Sequence, residues 1–223
     1  MVDVASSMGW MQPALAAMEL SQMTVQAMWE GRDSLIKQVP HMSELIPTCQ
    51  QRGIESVFDI MDMEDDDRTA LLRPLSSKQV ADIAAFVNRY PNIEVEHEYS
   101  KQVSAGSAVQ VQLSLDREWD DEDDEDIPGP AIAPFFPYTH SEGWWVVVGD
   151  EQLQNLMLVK RINLRKELKT MVEFAAPDSP GSCTLKLFLM CDAYLGCDQE
   201  FDLQIEVLPA SSSDEEDDEM EQD

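Results

Sequence analysis

The sequence predicts an α+β protein: an N-terminal helical segment and a helix-loop-helix domain, then an all-β immunoglobulin-like sandwich of the fibronectin type, and a disordered acidic tail. Three observations carry this. Up to residue 91 the apolar residues recur at helical spacing between capping residues, and from Asn92 the period falls to two. Two runs of acids then punctuate the strand region and close the chain. The boundaries that follow are residues 1–34 for the end of a helical bundle, 35–91 for the helix-loop-helix domain, 92–209 for the sandwich and 210–223 for the tail.

The stretch MQPALAAMELSQMTVQAMWEG reads as a helix, with Pro13 in its first turn and strong helix formers after it. Ala16, Leu20, Met23 and Ala27 form one apolar stripe; Leu15, Met18, Val25 and Trp29 form a second beside it. A helix apolar over so much of its girth calls for cover on several sides. Only ten residues precede it, so the sequence predicts a helix cut from a larger bundle or docked on a neighbour. The six methionines of the first 28 residues are core fillers or a soft partner groove. Short helices follow over residues 43–52, 54–61, 64–72 and 76–89, with Ser76 as N-cap and Pro91 closing the last. The stretch CQQRGIESVFDIMDME resembles half of a helix-hairpin-helix, a motif that brings backbone amides to phosphate, but acids from Glu55 to Asp67 crowd it and make it a packing unit.

From Asn92, IEVEHEY, SAVQVQLSL, GWWVVVGD, NLMLVKRINL, LKTMVEFAAP, SCTLKLFLMCDAY and QEFDLQIEVL alternate or are rich in β-branched residues, with Gly, Pro, Asn and acids between them. Seven such segments over about 115 residues predict the sandwich. The nine acids of Asp116–Asp126 then fall in a solvated loop between strands, and Ser211–Asp223 is too charged to fold.

The net charge is −29, and the two acidic runs supply only part of it. Such a surface repels a phosphate backbone, so the sequence predicts weak or no direct nucleic-acid binding and a protein partner instead. Four cysteines without a signal peptide fit a reducing compartment, and no window approaches the ~20 apolar residues of a membrane span.

Phosphate loops, dinucleotide fingerprints, zinc-helix motifs and nucleophile elbows are missing from the sequence, so no catalytic, cofactor-binding or metal-ligating residue is assigned. His41, His97 and His140 are scattered in three settings. The segment MCDAYLGCDQE holds Cys191 and Cys197 six apart, a spacing that suits neither structural zinc nor a cytosolic disulfide. It reads as a turn between strands: Asp192 bonds turn amides, Gly196 takes a positive φ and Tyr194 plugs the end of the sandwich. Trp144 and Trp145 must point to opposite faces of a strand. One anchors the core, and the other lies on the outer face, covered by another domain or by a partner. Trp29, Trp144, Trp145 and Tyr194 are therefore the interaction or structural candidates. Ser211, Ser212 and Ser213 each have an acid three residues on, so they are phosphorylation candidates or a polar linker.

Several separated blocks carry a family resemblance. VDVASSMGWMQPALAAMELSQMTVQAMW, ESVFDIMDMEDDDRTALL, VNRYPNIEV, EGWWVVVGD, NLMLVKRI and LFLMCDAYLGCDQEFDLQIEV resemble, in this order, the C-terminal Sec sixty-three homology unit of spliceosomal U5 snRNP two-cassette RNA helicases, within the Ski-two-like family. The resemblance runs from Met1 to about Val207. It implies a nuclear, non-catalytic protein-interaction and structural module of an ATP-dependent RNA helicase that supports U4/U6 unwinding and pre-mRNA splicing. Its partners would be spliceosomal proteins and the upstream helicase cassette, with no cofactor and no membrane. The alternatives are a single-stranded RNA grip of such a helicase, or the equivalent unit of the endoplasmic-reticulum translocation protein or of the coactivator-complex helicase. The first of those two relatives lacks the cysteine of GCDQE, and the second reads Gly-Leu-Asp where this chain reads Gly-Cys-Asp. The Asp116–Asp126 stretch is longer and more acidic than the family's loop.

Overall fold

Two helices open the computed structural model, which describes residues 1–119 and 128–209. They are α1 (Val2–Ser7) and α2 (Met11–Gln26). Pro13 sits in the first turn of α2, where an amide has no carbonyl partner to lose. Ala27 ends the helix in left-handed backbone, φ 51°, and its N–H returns to the Met23 carbonyl. Of the two apolar stripes only one is buried: Leu15, Met18 and Val25, with Met11 and Ala14. Part of the cover the helix calls for comes from downstream residues: Met11, Ala14, Leu15 and Met18 lie on a sheet of the same chain. The other stripe stays open, with Ala16, Leu20 and Ala27 exposed and Met23 half-buried.

Two 3₁₀ turns, Leu35–Gln38 and Ser43–Leu45, lead to α3 (Ile46–Gln51), α4 (Val57–Met61), α5 (Asp65–Leu72) and α6 (Ser77–Arg89). Ser56 and Ser76 cap α4 and α6 through reciprocal capping boxes with Asp59 and Gln79. The helices stand where the spacing places them, except that a 3₁₀ turn opens the first and the second, predicted from residue 54, begins at Val57 after its Ser56 cap.

Eight strands follow among the described residues: β1 (Ile93–Tyr99), β2 (Gln102–Ser104), β3 (Ala108–Arg117), β4 (Trp144–Asp150), β5 (Asn155–Ile162), β6 (Glu167–Ala175), β7 (Gly181–Cys191) and β8 (Gln199–Leu208). They form a three-stranded sheet, β1-β3-β6, and a five-stranded sheet, β2-β8-β7-β4-β5. All neighbours are antiparallel except the short pair β2–β8. β2, three residues long, is the strand that periodicity missed, because alternation is unreadable over so short a span.

Alternation fixes which face each strand buries. In β3, Val109, Val111, Leu113 and Leu115 are buried while Gln110, Gln112 and Asp116 are exposed. In β8, Leu203, Ile205 and Val207 do the same. These residues join one core with Trp144, Val146, Val148, Leu185, Leu187 and Leu189 and with the buried side of α3–α6. β4 departs from alternation and is apolar on both faces. Its second face, with Val147, Leu156 of β5 and Met190 of β7, packs under Ala5, Met11, Ala14, Leu15 and Met18 in a separate cluster. A strand covered on both sides loses its polar positions.

The reading of Asp116–Asp126 as one solvated loop is corrected at its start. Asp116 and Arg117 belong to β3, and Arg117 is buried; residues 120–127 lie outside the described residues, as do the tail and Ser211–Ser213. Arg117 forms an ion pair with the equally buried Glu142 and donates through Nε to the Arg165 carbonyl at 3.1 Å. The same Glu142 carboxylate accepts the Trp144 indole N–H at 2.7 Å. Burial pushes the Glu142 carboxyl above its ordinary range, and the Arg117 charge opposes that push. The pair ties β3 of one sheet to β4 of the other.

Breaking it leaves an uncompensated charge in the core. Arg117→Met alone should therefore cost about 3–5 kcal/mol in urea denaturation, whereas the double variant Arg117→Met/Glu142→Gln, which keeps an acceptor for Trp144, should cost clearly less.

Candidate functional site

The connection between β7 and β8 is where the helices meet the sheets. It is a turn in sequence, yet Cys191, Asp192, Ala193, Tyr194, Leu195 and Cys197 are all buried. Buried irregular backbone needs partners for its polar groups. Three glutamines supply them. Gln22 and Gln26 of α2 donate to the carbonyls of Cys191 (2.8 Å) and Ala193 (2.7 Å), and Gln38 donates to that of Leu195 (2.9 Å). The Leu195 N–H donates back to Gln38 Oε1 at 3.2 Å, and the Tyr90 hydroxyl at the end of α6 also donates to the Leu195 carbonyl, at 2.8 Å. Gln22, at 2 % exposure, additionally donates to Asp198 Oδ2 at 2.7 Å, whose Oδ1 accepts the Cys191 N–H at 2.7 Å.

Asp192 holds the other end. Its Oδ1 accepts the Gly143 N–H at 2.9 Å, its own N–H donates to the Gly143 carbonyl at 3.0 Å, and Arg161 pairs with its Oδ2. His140 Nε2 stands 3.2 Å from Oδ1, so this histidine, read from sequence as an isolated loop residue, faces a buried carboxylate. A Cβ at position 143 would run into the Arg161 guanidinium that pairs with Asp192, which makes the position one for glycine. Gly196 has φ +84°, and a Cβ there would meet Leu35 Cδ1 at 2.8 Å.

The tryptophans divide between the two faces of β4. Trp144 is inaccessible to solvent and hydrogen-bonded to Glu142. Trp145, half-buried, lies against the α1–α2 cluster, and the Arg161 guanidinium sits 4.1 Å from its ring centroid. Arg161 thus joins the outer face of the sheet to the Asp192 carboxylate. Tyr194 stands edge-on to Phe86 (5.7 Å) and Tyr90 (5.6 Å), and its hydroxyl accepts the Ile132 N–H at 2.9 Å. Trp29 is brought into none of this: it is 59 % exposed just beyond α2.

Burial sets the chemistry of these groups. All four cysteines are free. Desolvation, reinforced by the Cys191 thiol beside it, pushes the Cys197 thiol well above its usual range, and its Sγ points to the Tyr194 carbonyl at 3.7 Å. Desolvation likewise raises the Tyr90 and Tyr194 hydroxyls and holds both neutral. Among the described residues no three His, Cys, Asp or Glu side chains are placed together as metal ligands. The arrangement holds surfaces in place.

Sequence reading missed Gln22, Gln26, Gln38 and Asp198. The signal was present for two of them. Gln22 and Gln26 continue the stripe of Leu15, Met18 and Val25, and a polar residue on a buried stripe requires a partner.

A helical head bonded through glutamine amides to the buried turn of a two-sheet body is an α+β scaffold unit. The chain belongs to the Sec63 Brl domain family, whose profile matches residues 1–204. It is 50% identical over 209 residues to the U5 small nuclear ribonucleoprotein 200 kDa helicase of Drosophila melanogaster, covering 92% of this chain and 9% of that protein. To the human protein of the same description it is 48% identical over 219 residues, covering 97% and 10%. To the Arabidopsis thaliana DExH-box ATP-dependent RNA helicase DExH12 it is 43% identical over 220 residues, covering 96% and 10%. The chain spans about a tenth of the length of these relatives.

Each glutamine is separately testable. Gln22→Leu, Gln26→Leu and Gln38→Leu should each cost about 1–3 kcal/mol despite their apolar replacement: the first two strip the Cys191 and Ala193 carbonyls of a donor, and the third strips the Leu195 N–H of its acceptor while Tyr90 still serves the Leu195 carbonyl. Amide hydrogen exchange over residues 191–198 should rise with them. Asp198 sets a pH dependence. Desolvation raises its pKa from 3.8 to about 6, against the pull of the Gln22 and Cys191 hydrogen bonds. The folded state therefore keeps a proton that the unfolded chain releases. Relative to Asp198→Asn, the protein should lose stability as pH rises from about 4 to about 6, by on the order of 2 kcal/mol, in urea titrations at each pH.

Proposed function

We propose that this chain is the C-terminal Sec63 unit of a spliceosomal ATP-dependent RNA helicase and serves it as a non-catalytic docking and structural module, supporting U4/U6 unwinding and pre-mRNA splicing in the nucleus. The observation that carries this is the 48–50% identity to U5 small nuclear ribonucleoprotein helicases across 92–97% of the chain. In this reading residues 1–34 end a helical bundle, 35–91 are the helix-loop-helix domain, 92–209 an immunoglobulin-like sandwich and 210–223 an acidic tail. The two sheets, β1-β3-β6 and β2-β8-β7-β4-β5, whose inward faces share one core, support the sandwich assignment. The partners would be spliceosomal proteins and the upstream helicase cassette. Trp29 is the anchor we assign to them, being a large exposed indole of the kind that dominates interface energies. Trp144, Trp145 and Tyr194 serve the module from within, as supports. Ser211, Ser212 and Ser213 would add charge through phosphorylation, which intact mass of the natural protein checks.

Tagged protein incubated with nuclear extract should recover spliceosomal proteins, and Trp29→Ala should reduce that recovery without shifting Tm. Recovery of cytosolic or membrane factors alone overturns the reading. The helix–Gly53–helix turn, with φ 72° at Gly53, favours one rival, a grip on single-stranded RNA. Titration with single-stranded RNA at low salt separates the two. Tight binding with a steep salt slope establishes the grip, and weak binding leaves the docking module.

A further inference from the structure

We infer that the groove between α5 and α6 is a docking site for an acidic amphipathic helix of a partner protein. The inference rests on the docking reading above and supplies it with a surface and a partner chemistry.

α6 carries two apolar stripes. Ile83 and Phe86 are buried in the core, while Val80, Ala84 and Val87 line an open groove together with Leu72 and Leu75. Its volume is about 600 Å³. The spacing of Val80, Ala84 and Val87 is i, i+4, i+7, which presents one ridge along a helix of 13 residues. Ala84 is exposed and small, and so leaves a notch in that ridge. An apolar trough beside such a ridge fits the apolar stripe of another helix.

The charge of the rim selects the partner. The chain has 44 acidic and 15 basic residues, yet among the described residues two arginines, Arg68 and Arg73, line this groove and no carboxylate does. Arg68 pairs with Asp65, one turn back on its own helix. Arg73, exposed at the end of α5, has no carboxylate partner among the described residues. Beyond Val87 and Asn88 the surface becomes mixed, with Asp62 and Glu118 near Arg89. The cationic end is thus the Arg73 end, and the occupant's carboxylates belong there. Elsewhere the protein's charge repels acidic segments, so the groove is a local exception with a direction built into it.

The test uses the full chain and a labelled helical peptide of about 16 residues, with leucines at i, i+4 and i+7 and glutamates at one end, read by fluorescence anisotropy. A second peptide carries lysine for each glutamate. The glutamate peptide should bind roughly fivefold more tightly than the lysine peptide, Arg73→Glu should reverse that preference, and Ala84→Arg should abolish binding of both. Lys169→Glu, on β6, should change neither. Equal affinities, a preference for the lysine peptide, or wild-type binding by Ala84→Arg would overturn the inference. So would displacement of the glutamate peptide by single-stranded RNA, which would make the groove a phosphate site. The peptide assay decides the groove by itself and the extract pull-down decides the docking reading, so each can fail separately.

Discussion

Everything in this molecule hangs on keeping an irregular piece of backbone dry. The β7–β8 connection carries amides and carbonyls into a place where water does not reach, and each would cost on the order of 1–3 kcal/mol if left alone. Gln22, Gln26 and Gln38 meet alternate carbonyls of Cys191, Ala193 and Leu195. The helices are consequently not free to slide on the sheets. A slip of α2 by one residue would carry Gln22 and Gln26 about 100° around the helix and strand the carbonyls they meet. Apolar packing alone tolerates such slips; hydrogen bonds do not.

Charge is handled by the same principle of placement. Where acids are buried they are hydrogen-bonded or paired: Glu142 with Arg117 and the Trp144 indole, Asp192 with Arg161 and the Gly143 amide. Where they are exposed they crowd. Across the outer face of the three-stranded sheet, Glu94, Asp116 and Glu167 stand in one register row, an arrangement of like charges that weakens a sheet. A protein that accepts this cost on one surface and places arginines along an apolar groove on another has a strongly uneven field. Such a field sorts partners by sign and by the face they approach.

The match to the Sec63 Brl domain family, over residues 1–204, takes in all the helices and all of the strands but the end of β8. The buried glutamine bonds explain how the helices and sheets keep one arrangement. Rigidity here comes from a polar network inside an apolar shell, which fixes geometry more sharply than packing volume does.

Much of the secondary structure was legible in the residues, because period and capping are local properties. Ser76 announced α6, and alternation in β3 and β8 announced their buried faces. The candidate site was legible only in part. Gly196 and Tyr194 could be read as turn and plug, but that the turn is buried and bonded to three glutamines could not. Likewise α2, which the sequence predicts to belong to a larger bundle or to dock on a neighbour, lies with its buried stripe on β4, β5 and β7. By itself the sequence determined the longer elements, most of their apolar faces and the family. Which face meets which, and that Gln22, Gln26 and Gln38 converge on one turn about 160–170 residues away, only the tertiary structure decided. A side chain's partner across such a distance depends on how every element between them folds, and no local pattern carries that information.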